Sequence, residues 1–217
     1  GGALQKLCEL LDLESLEIIE AFDNSNISGT NAVSAMVSFV GGKPNKKGYR
    51  KFKVKTIEGA NDAGTMYEII SRRYKDPNNN PNLIIVDGGL PQVNAAKKAL
   101  NELNRDLNVL GLIKDEKHRT KSLLFNSQIF DIDKSSFEFR LLESIQDEVH
   151  RFAISYFHQT HSRNTFTSKL DEIKGIGKVR KAQILKIVGK ENFEENLKKL
   201  SLNEQQIDEV LRLLSGK

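Results

Sequence analysis

Hydrophobic positions recur along this chain in two periods, and each change of period marks an element. Leu4, Leu7, Leu10 and Leu11 share one helical face, which predicts a short docking helix over 3–12. Residues 15–22 roughly alternate and end at Asp23, the pattern of a strand followed by an acid. A polar turn over 24–31 leads to a second strand over 32–40, a Gly41-Gly42 turn and a third strand over 49–57. Asn61 or Asp62 then caps a helix that runs to Tyr74, with Met66, Ile69 and Ile70 inward. After a Pro- and Asn-rich loop comes Leu83-Ile84-Ile85-Val86, an unbroken aliphatic run that reads as a strand buried on both faces. It stops at Asp87-Gly88-Gly89, and Val93, Ala96, Leu100 and Leu103 give the following helix its apolar side. A strand over 109–113, a charged loop over 114–119, a hairpin over 123–130 and a long helix over 135–157 follow. The order β-β-β-α-β-α-β-α predicts an α/β fold: a mixed five-stranded sheet with helices on its faces.

Residues 158–168 are polar and without period, the composition of a linker that closes a first domain at 157. Beyond it the pattern turns helical and repeats. Helix–turn–helix is expected over 169–188 around Lys174-Gly175-Ile176-Gly177, then a weaker copy over 193–214. Residues 169–217 thus read as a small all-α domain of tandem helical hairpins.

Composition changes this picture little. With 38% hydrophobic and 29% charged residues in 217, the chain has an ordinary globular make-up, and no segment approaches transmembrane length. Cys8 has no partner in the chain, so internal disulfides are excluded and a reducing cytoplasm fits. The Gly-Gly start without methionine points to a piece of a longer protein. Charge is more informative. Residues 160–217 hold 12 Lys/Arg against 8 Asp/Glu and so carry the whole net charge of +4. A neutral body with a basic tail suggests a polyanionic partner for the tail.

The chemistry concentrates at strand ends. The topology sets the strands ending at Asp23 and Asp87 side by side and parallel, with both acids at the edge where open α/β sheets bind ligands. Neighbouring carboxylates repel, and oxygen donors of this kind select Mg²⁺ or Mn²⁺. Asp87 taken alone is equally a turn or capping residue. On the long helix His150 borders the apolar face; opposite two strand-end aspartates it suits a metal ligand or a general acid/base. Two stretches offer phosphate contacts. One is the third strand with its turn, where Lys47, Arg50 and Lys51 stand in a segment without acids from 24 to 57; the other reading is a charged edge strand that blocks aggregation. The second is Gly175-Ile176-Gly177, flanked by Lys174, Lys178, Arg180 and Lys181, where glycines let backbone N–H groups approach a phosphate.

Phe22-Asp23-Asn24-Ser25, Ile85-Val86-Asp87-Gly88-Gly89 with Gln92 and Asn94, Leu112-Ile113-Lys114-Asp115 and 147–153 (Asp-Glu-Val-His-Arg-Phe-Ala) resemble, in this order, the C-terminal half of the UvrC family. With the glycine hairpin the resemblance covers essentially the whole chain. It implies a ribonuclease H-like endonuclease domain followed by tandem helix-hairpin-helix elements. It implies too the 5′ incision of damaged double-stranded DNA in bacterial nucleotide excision repair, with UvrB as partner through a docking segment outside this sequence. By motif, the family's Asp-Asp-His set falls on Asp23, Asp87 and His150, with Mg²⁺ or Mn²⁺ as cofactor. Its acidic position after the third strand falls on Asp62, where a helix cap is an equal explanation. Lys114, at a strand end near the site, is expected at the scissile phosphate. One departure stands out: the second hairpin reads Leu202-Asn203-Glu204-Gln205 where a Gly-hydrophobic-Gly turn is expected.

The leading expectation is therefore a metal-dependent DNA endonuclease, a cytoplasmic monomer without membrane contact. Its rivals are another ribonuclease H-like nuclease, such as a resolvase or an RNA-guided enzyme, and a non-catalytic DNA-binding or partner-docking module. The linker and hairpin tail weigh against the other nucleases. His118, His158 and His161 are assigned no chemistry.

Overall fold

Aliphatic and β-branched runs assemble the sheet on which everything else rests. The computed structural model describes residues 2–25, 33–54, 62–117, 119–155, 162–188, 190 and 193–215. Helix α1 (Gly2–Leu10) precedes strands β1 (Ile18–Ser25), β2 (Val33–Val40), β3 (Lys43–Pro44) and β4 (Arg50–Lys53). Helix α2 (Asp62–Tyr74), β5 (Leu83–Asp87), α3 (Leu90–Glu102), β6 (Val109–Lys114), β7 (Thr120–Phe125), β8 (Gln128–Asp131) and α4 (Phe137–Ser155) complete the body. The tail carries α5 (Ser162–Leu170), α6 (Lys178–Ile187), α7 (Phe193–Lys198) and α8 (Glu204–Ser215).

The expected mixed α/β sheet is present, with eight strands rather than five. Its order is β3-β2-β1-β5-β6-β7-β8, with β4 also paired to β2. The extra strands come from two places. The hairpin after the charged loop continues the sheet, because β7 pairs with β6 and buries Leu123, Leu124 and Phe125. The Gly41-Gly42 turn folds Lys43-Pro44 back onto Phe39 and Val40. Pro44, without an N–H, is tolerated at that edge. Among the described residues only β1–β5 and β5–β6 are parallel, and those two central pairs place the site.

Period-two alternation divides the core. Ile19, Ala21, Leu83, Ile85, Leu110 and Leu112 meet Leu7, Leu142, Ile145 and Val149 of α1 and α4. Phe22, Ile84, Val86 and Val109 meet Met66, Ile69, Ile70, Val93 and Leu100 of α2 and α3. The run 83–86 is at most 3% exposed, as a strand covered by helices on both faces requires. At ~1.5–3 kcal/mol per buried aliphatic side chain, these four supply roughly 6–12 kcal/mol of gross transfer energy. Cys8 packs beside the first core and its thiol donates to the Leu13 carbonyl at 3.0 Å, a structural role.

The stretch expected to be a linker through 168 is helical from Ser162. Its apolar residues are few, but Phe166 (1% exposed) and Leu170 (0%) enter a third core with Ile173, Ile176, Ile184, Phe193, Leu197 and Val210. Residues 156–161, which include His158 and His161, lie outside the described residues, as does His118.

Candidate active site

Alternation along β1 and β5 decides where each carboxylate points. Asp23 is in phase with Ile19 and Ala21, and Asp87 with Leu83 and Ile85, so both face α4. The parallel register pairs Phe22 with Val86, which brings the next residues, Asp23 and Asp87, off the paired segment side by side. Behind Asp87, Gly88 holds φ +152°, a backbone state that L side chains rarely adopt, and an added Cβ would fall 2.7 Å from Gln92. The chain can therefore leave the strand sharply into α3. The two carboxylates are almost sealed, with side chains 4% and 8% exposed.

Helix α4 lies across this edge. Leu142, Ile145, Val149 and Ala153 seat it on the sheet, which turns the next positions, Gln146 and His150, toward the strand ends. His150 Nδ1 stands 2.6 Å from Asp23 Oδ2. Gln146 Nε2 donates to Asp87 Oδ1 at 3.3 Å, and its Oε1 accepts from Thr120 Oγ1 at 2.9 Å. Lys114 Nζ donates to Asp87 at 3.0 Å. A β-bulge at Ile113/Lys114 pairs Lys114 with Thr120 while Ile113 pairs with Ser122. The bulge shifts the phase of β7 and brings Thr120 to the same face as Lys114.

Electrostatics follow from these contacts. Burial works against a charge on His150, but the Asp23 carboxylate and its hydrogen bond outweigh it and raise the imidazole above its ordinary pKa. Lys114 behaves alike: burial opposes the ammonium, and Asp87 and then Asp23 hold it charged. Asp23 thus faces an imidazole held toward its charged form, and Asp87 an ammonium. Asp147, on the rim, is pushed up to about 6 by burial and then by Glu194, against the pull of His150. A cleft of about 310 Å³ runs from Lys114, Gln146, Asp147 and His150 to Glu194 and Lys198 of α7. Alongside it, Lys117 and Arg119 pair with Glu204 at 2.8 and 3.5 Å.

By donor chemistry the site suits a hard divalent cation, since Asp23 and Asp87 offer carboxylate oxygens and the neutral form of His150 a nitrogen. Among the described residues, no three His, Cys, Asp or Glu side chains converge on one point. Asp23 is turned to His150 and Asp87 to Lys114.

Four expected residues, Asp23, Asp87, His150 and Lys114, come together here. Asp62 opens α2, and its side chain lies outside the described residues. Two residues of the cluster went unseen in the sequence, Gln146 and Thr120. Gln146 lies four before His150, a spacing that already places it on the same helical face. Thr120 carried no signal, because it reaches the site only through the bulge.

The expected DNA-binding residues lie elsewhere. Lys47, Arg50 and Lys51 are exposed along the β4 hairpin, which is anchored on α4 by Tyr49 Oη donating to Glu148 at 3.2 Å. The Arg50 guanidinium donates to the Lys47 and Tyr49 carbonyls at 2.9 and 2.8 Å, and Lys51 Nζ sits 4.8 Å from the Phe152 ring centroid. In the glycine hairpin, Lys174, Gly175, Gly177 and Lys178 are exposed. Arg180 donates to the Gly175 carbonyl at 2.9 Å and Lys181 to Asp171 at 2.8 Å, so both brace the turn. Ile176 is buried in the tail core at 7% exposure, and its N–H donates to the Ile173 carbonyl. The second hairpin's missing glycines have a cause. Asn203 and Gln206 cap α8 reciprocally at 2.8 and 3.0 Å, and Gln206 Nε2 reaches the Lys174 carbonyl at 3.1 Å. That turn braces the first hairpin.

The family described as the UvrC RNase H endonuclease domain matches residues 8–154. UvrABC system protein C of Streptococcus thermophilus is 52% identical over 192 residues, covering 85% of this chain and 32% of its own length. The protein of the same name from Streptococcus gordonii is 45% identical over 219 residues, 98% of this chain and 34% of its own length. The chain thus spans about a third of the curated relatives it matches. Endonuclease V of Ciona intestinalis superposes with a TM-score of 0.34 at 21% identity, covering 55% of this chain and 61% of that one.

Proposed function

The chain belongs to the UvrC family, and from that premise we propose that it is a divalent-metal-dependent endodeoxyribonuclease. In this reading it makes the 5′ incision on the damaged strand in nucleotide excision repair, acting with UvrB on double-stranded DNA. One observation carries the chemistry: Asp23 and Asp87 lie side by side at parallel strand ends, Asp23 2.6 Å from the His150 imidazole and Asp87 3.0 Å from the Lys114 ammonium.

Asp23 and Asp87 would hold Mg²⁺ or Mn²⁺, which when bound lowers the pKa of a water and offsets charge on the phosphate. Lys114, held toward its ammonium form by both aspartates, would meet a phosphate oxygen once the strand enters the cleft. His150 has its Nδ1 side fixed by Asp23, which leaves Nε2 for the cleft. An imidazole held toward its charged form suits transfer of a proton to the departing sugar oxygen as the P–O bond breaks. Asp62 is proposed as a further acid of the site. Lys174, Gly175, Gly177 and Lys178 would grip the backbone, and Lys47, Arg50 and Lys51 would extend that track.

Nicking of a supercoiled plasmid or a bubble-containing duplex with Mg²⁺ or Mn²⁺ tests the reading, with Asp87→Ala in parallel. Nicking by wild type that chelation and Asp87→Ala both abolish is the expected result. Metal-independent nicking, or an active Asp87→Ala, contradicts it. Inactivity of both even with UvrB loaded on damaged DNA would favour a docking module.

A further inference from the structure

His150 and Gln146 lie one helical turn apart on α4 and address the two strand-end carboxylates separately. The match is geometric: positions i and i+4 are ~6 Å apart along a helix, and neighbouring strands are ~4.8 Å apart. His150 meets Asp23 and Gln146 meets Asp87.

A glutamine amide has two ends, and here its surroundings choose between them. With Nε2 toward Asp87, Oε1 accepts the Thr120 hydroxyl at 2.9 Å. The reversed amide would set a carbonyl oxygen against a carboxylate, a repulsive pair in a nearly sealed site. Thr120 is itself 7% exposed and is carried to this face by the β6–β7 bulge. The chain Thr120→Gln146→Asp87 therefore runs donor to acceptor without a break. Lys114 holds the same carboxylate by a separate hydrogen bond.

We propose that Gln146, oriented by Thr120, is a positioning residue that fixes the Asp87 carboxylate for divalent-cation binding. The inference rests on the metal-dependent cleavage proposed above. The residue type is informative. A glutamine donates a hydrogen bond without bringing a cation that would compete with a metal or a third carboxylate that would repel the first two. It restricts the Asp87 rotamer and adds no charge beyond the Lys114 ammonium already paired with it. Outer-shell hydrogen bonds of this kind typically contribute ~10–100-fold in metal affinity or activity.

The test compares wild type with Thr120→Val, Thr120→Ser and Gln146→Met, by Mn²⁺ titration followed by electron paramagnetic resonance and by nicking kinetics at saturating Mn²⁺. Thr120→Val keeps the shape and loses the donor, and Gln146→Met keeps helix propensity and length. Both are expected to weaken Mn²⁺ binding about tenfold, lower kcat for nicking and leave KM for DNA unchanged. Thr120→Ser, which retains the hydroxyl, restores both readouts. Wild-type Mn²⁺ affinity in Thr120→Val and Gln146→Met would overturn the positioning role while leaving the nuclease intact. Equal losses in Thr120→Val and Thr120→Ser would assign Thr120 to packing and overturn its part in the chain. A wild type that neither binds Mn²⁺ nor nicks would sink the underlying reading, and the positioning role with it.

Discussion

Glu20 and Asp23 stand three residues apart on β1, both buried at 5% exposure or less, and do opposite things with their charge. Glu20 points to the α2 face in mid-strand. There Arg73 Nη2 and the Tyr74 hydroxyl each donate to it at 2.7 Å, and Arg73 Nε adds a third bond at 3.3 Å. Burial, then the Glu20 carboxylate, push the Tyr74 phenol well above its ordinary pKa, so it stays a donor. Such a carboxylate is saturated, and it can do little except hold α2 to the sheet. Asp23 points to the α4 face at the strand end, beside a second carboxylate, and meets a 25%-exposed imidazole that borders a cleft. Burial alone does not distinguish a structural acid from a candidate functional one. What separates them is position: mid-strand against strand end, and partners packed into the core against partners open to a cleft.

The sharpest way to break this comparison is to remove charge at the strand ends. Asp23→Asn or Asp87→Asn should reduce metal-dependent nicking to background, and His150→Asn should cost ~10²–10⁴-fold. Their melting temperatures should stay near wild type, because relief of the repulsion between neighbouring carboxylates offsets the lost pairing with His150 or Lys114, to which the isosteric amide can still hydrogen-bond. Activity per folded molecule beside calorimetry checks both halves. Next in size is Glu20→Ala, expected to cost ~3 kcal/mol because Arg73, only 12% exposed, loses its carboxylate partner and the Tyr74 hydroxyl its acceptor. The joint replacement Glu20→Leu, Arg73→Met and Tyr74→Phe should recover most of that in denaturant unfolding, with nicking retained.

The tail gives a smaller effect. Lys174→Ala and Lys178→Ala should each lower the slope of log affinity against log salt by ~1 in a fluorescence-anisotropy titration with DNA. Arg180→Ala should act through the Gly175 turn it braces and lower the tail's melting temperature as well. Smallest is Asp147. Its carboxyl, pushed up to about 6, contributes stability that is full below its ordinary 3.8 and is lost as pH rises through 6. Asp147→Asn should therefore melt higher than wild type above pH 6 and no differently near pH 4. Protein packs around the carboxyl, but the residue as a whole remains open to solvent at the cleft rim, so screening should hold the gain below ~1 kcal/mol.

Legibility in the sequence tracked the range of the interactions involved. The run 83–86 with Asp87-Gly88-Gly89 could be read as a buried strand and a candidate ligand, because composition and a local turn define both. Asp23 and His150 followed from strand-end position and helical phase. Thr120 was invisible, since its direction depends on how β6 and β7 pair. Glu20 was equally hidden, as its partners lie 53 and 54 residues away. Helix α5 escaped notice because Phe166 and Leu170 are too sparse to form a stripe, and the tail core supplies what local pattern lacks. The sheet was undercounted because the β7–β8 hairpin gives no local sign that it continues the sheet.

The measurement that bears most directly on the central claim sets Asp23→Asn beside Glu20→Gln, reading metal-dependent nicking per folded molecule and melting temperature on each. The account predicts a crossed result: Asp23→Asn folds as wild type and does not nick, while Glu20→Gln nicks as wild type and melts lower. Wild-type nicking by Asp23→Asn would contradict the assignment of the strand-end pair to chemistry.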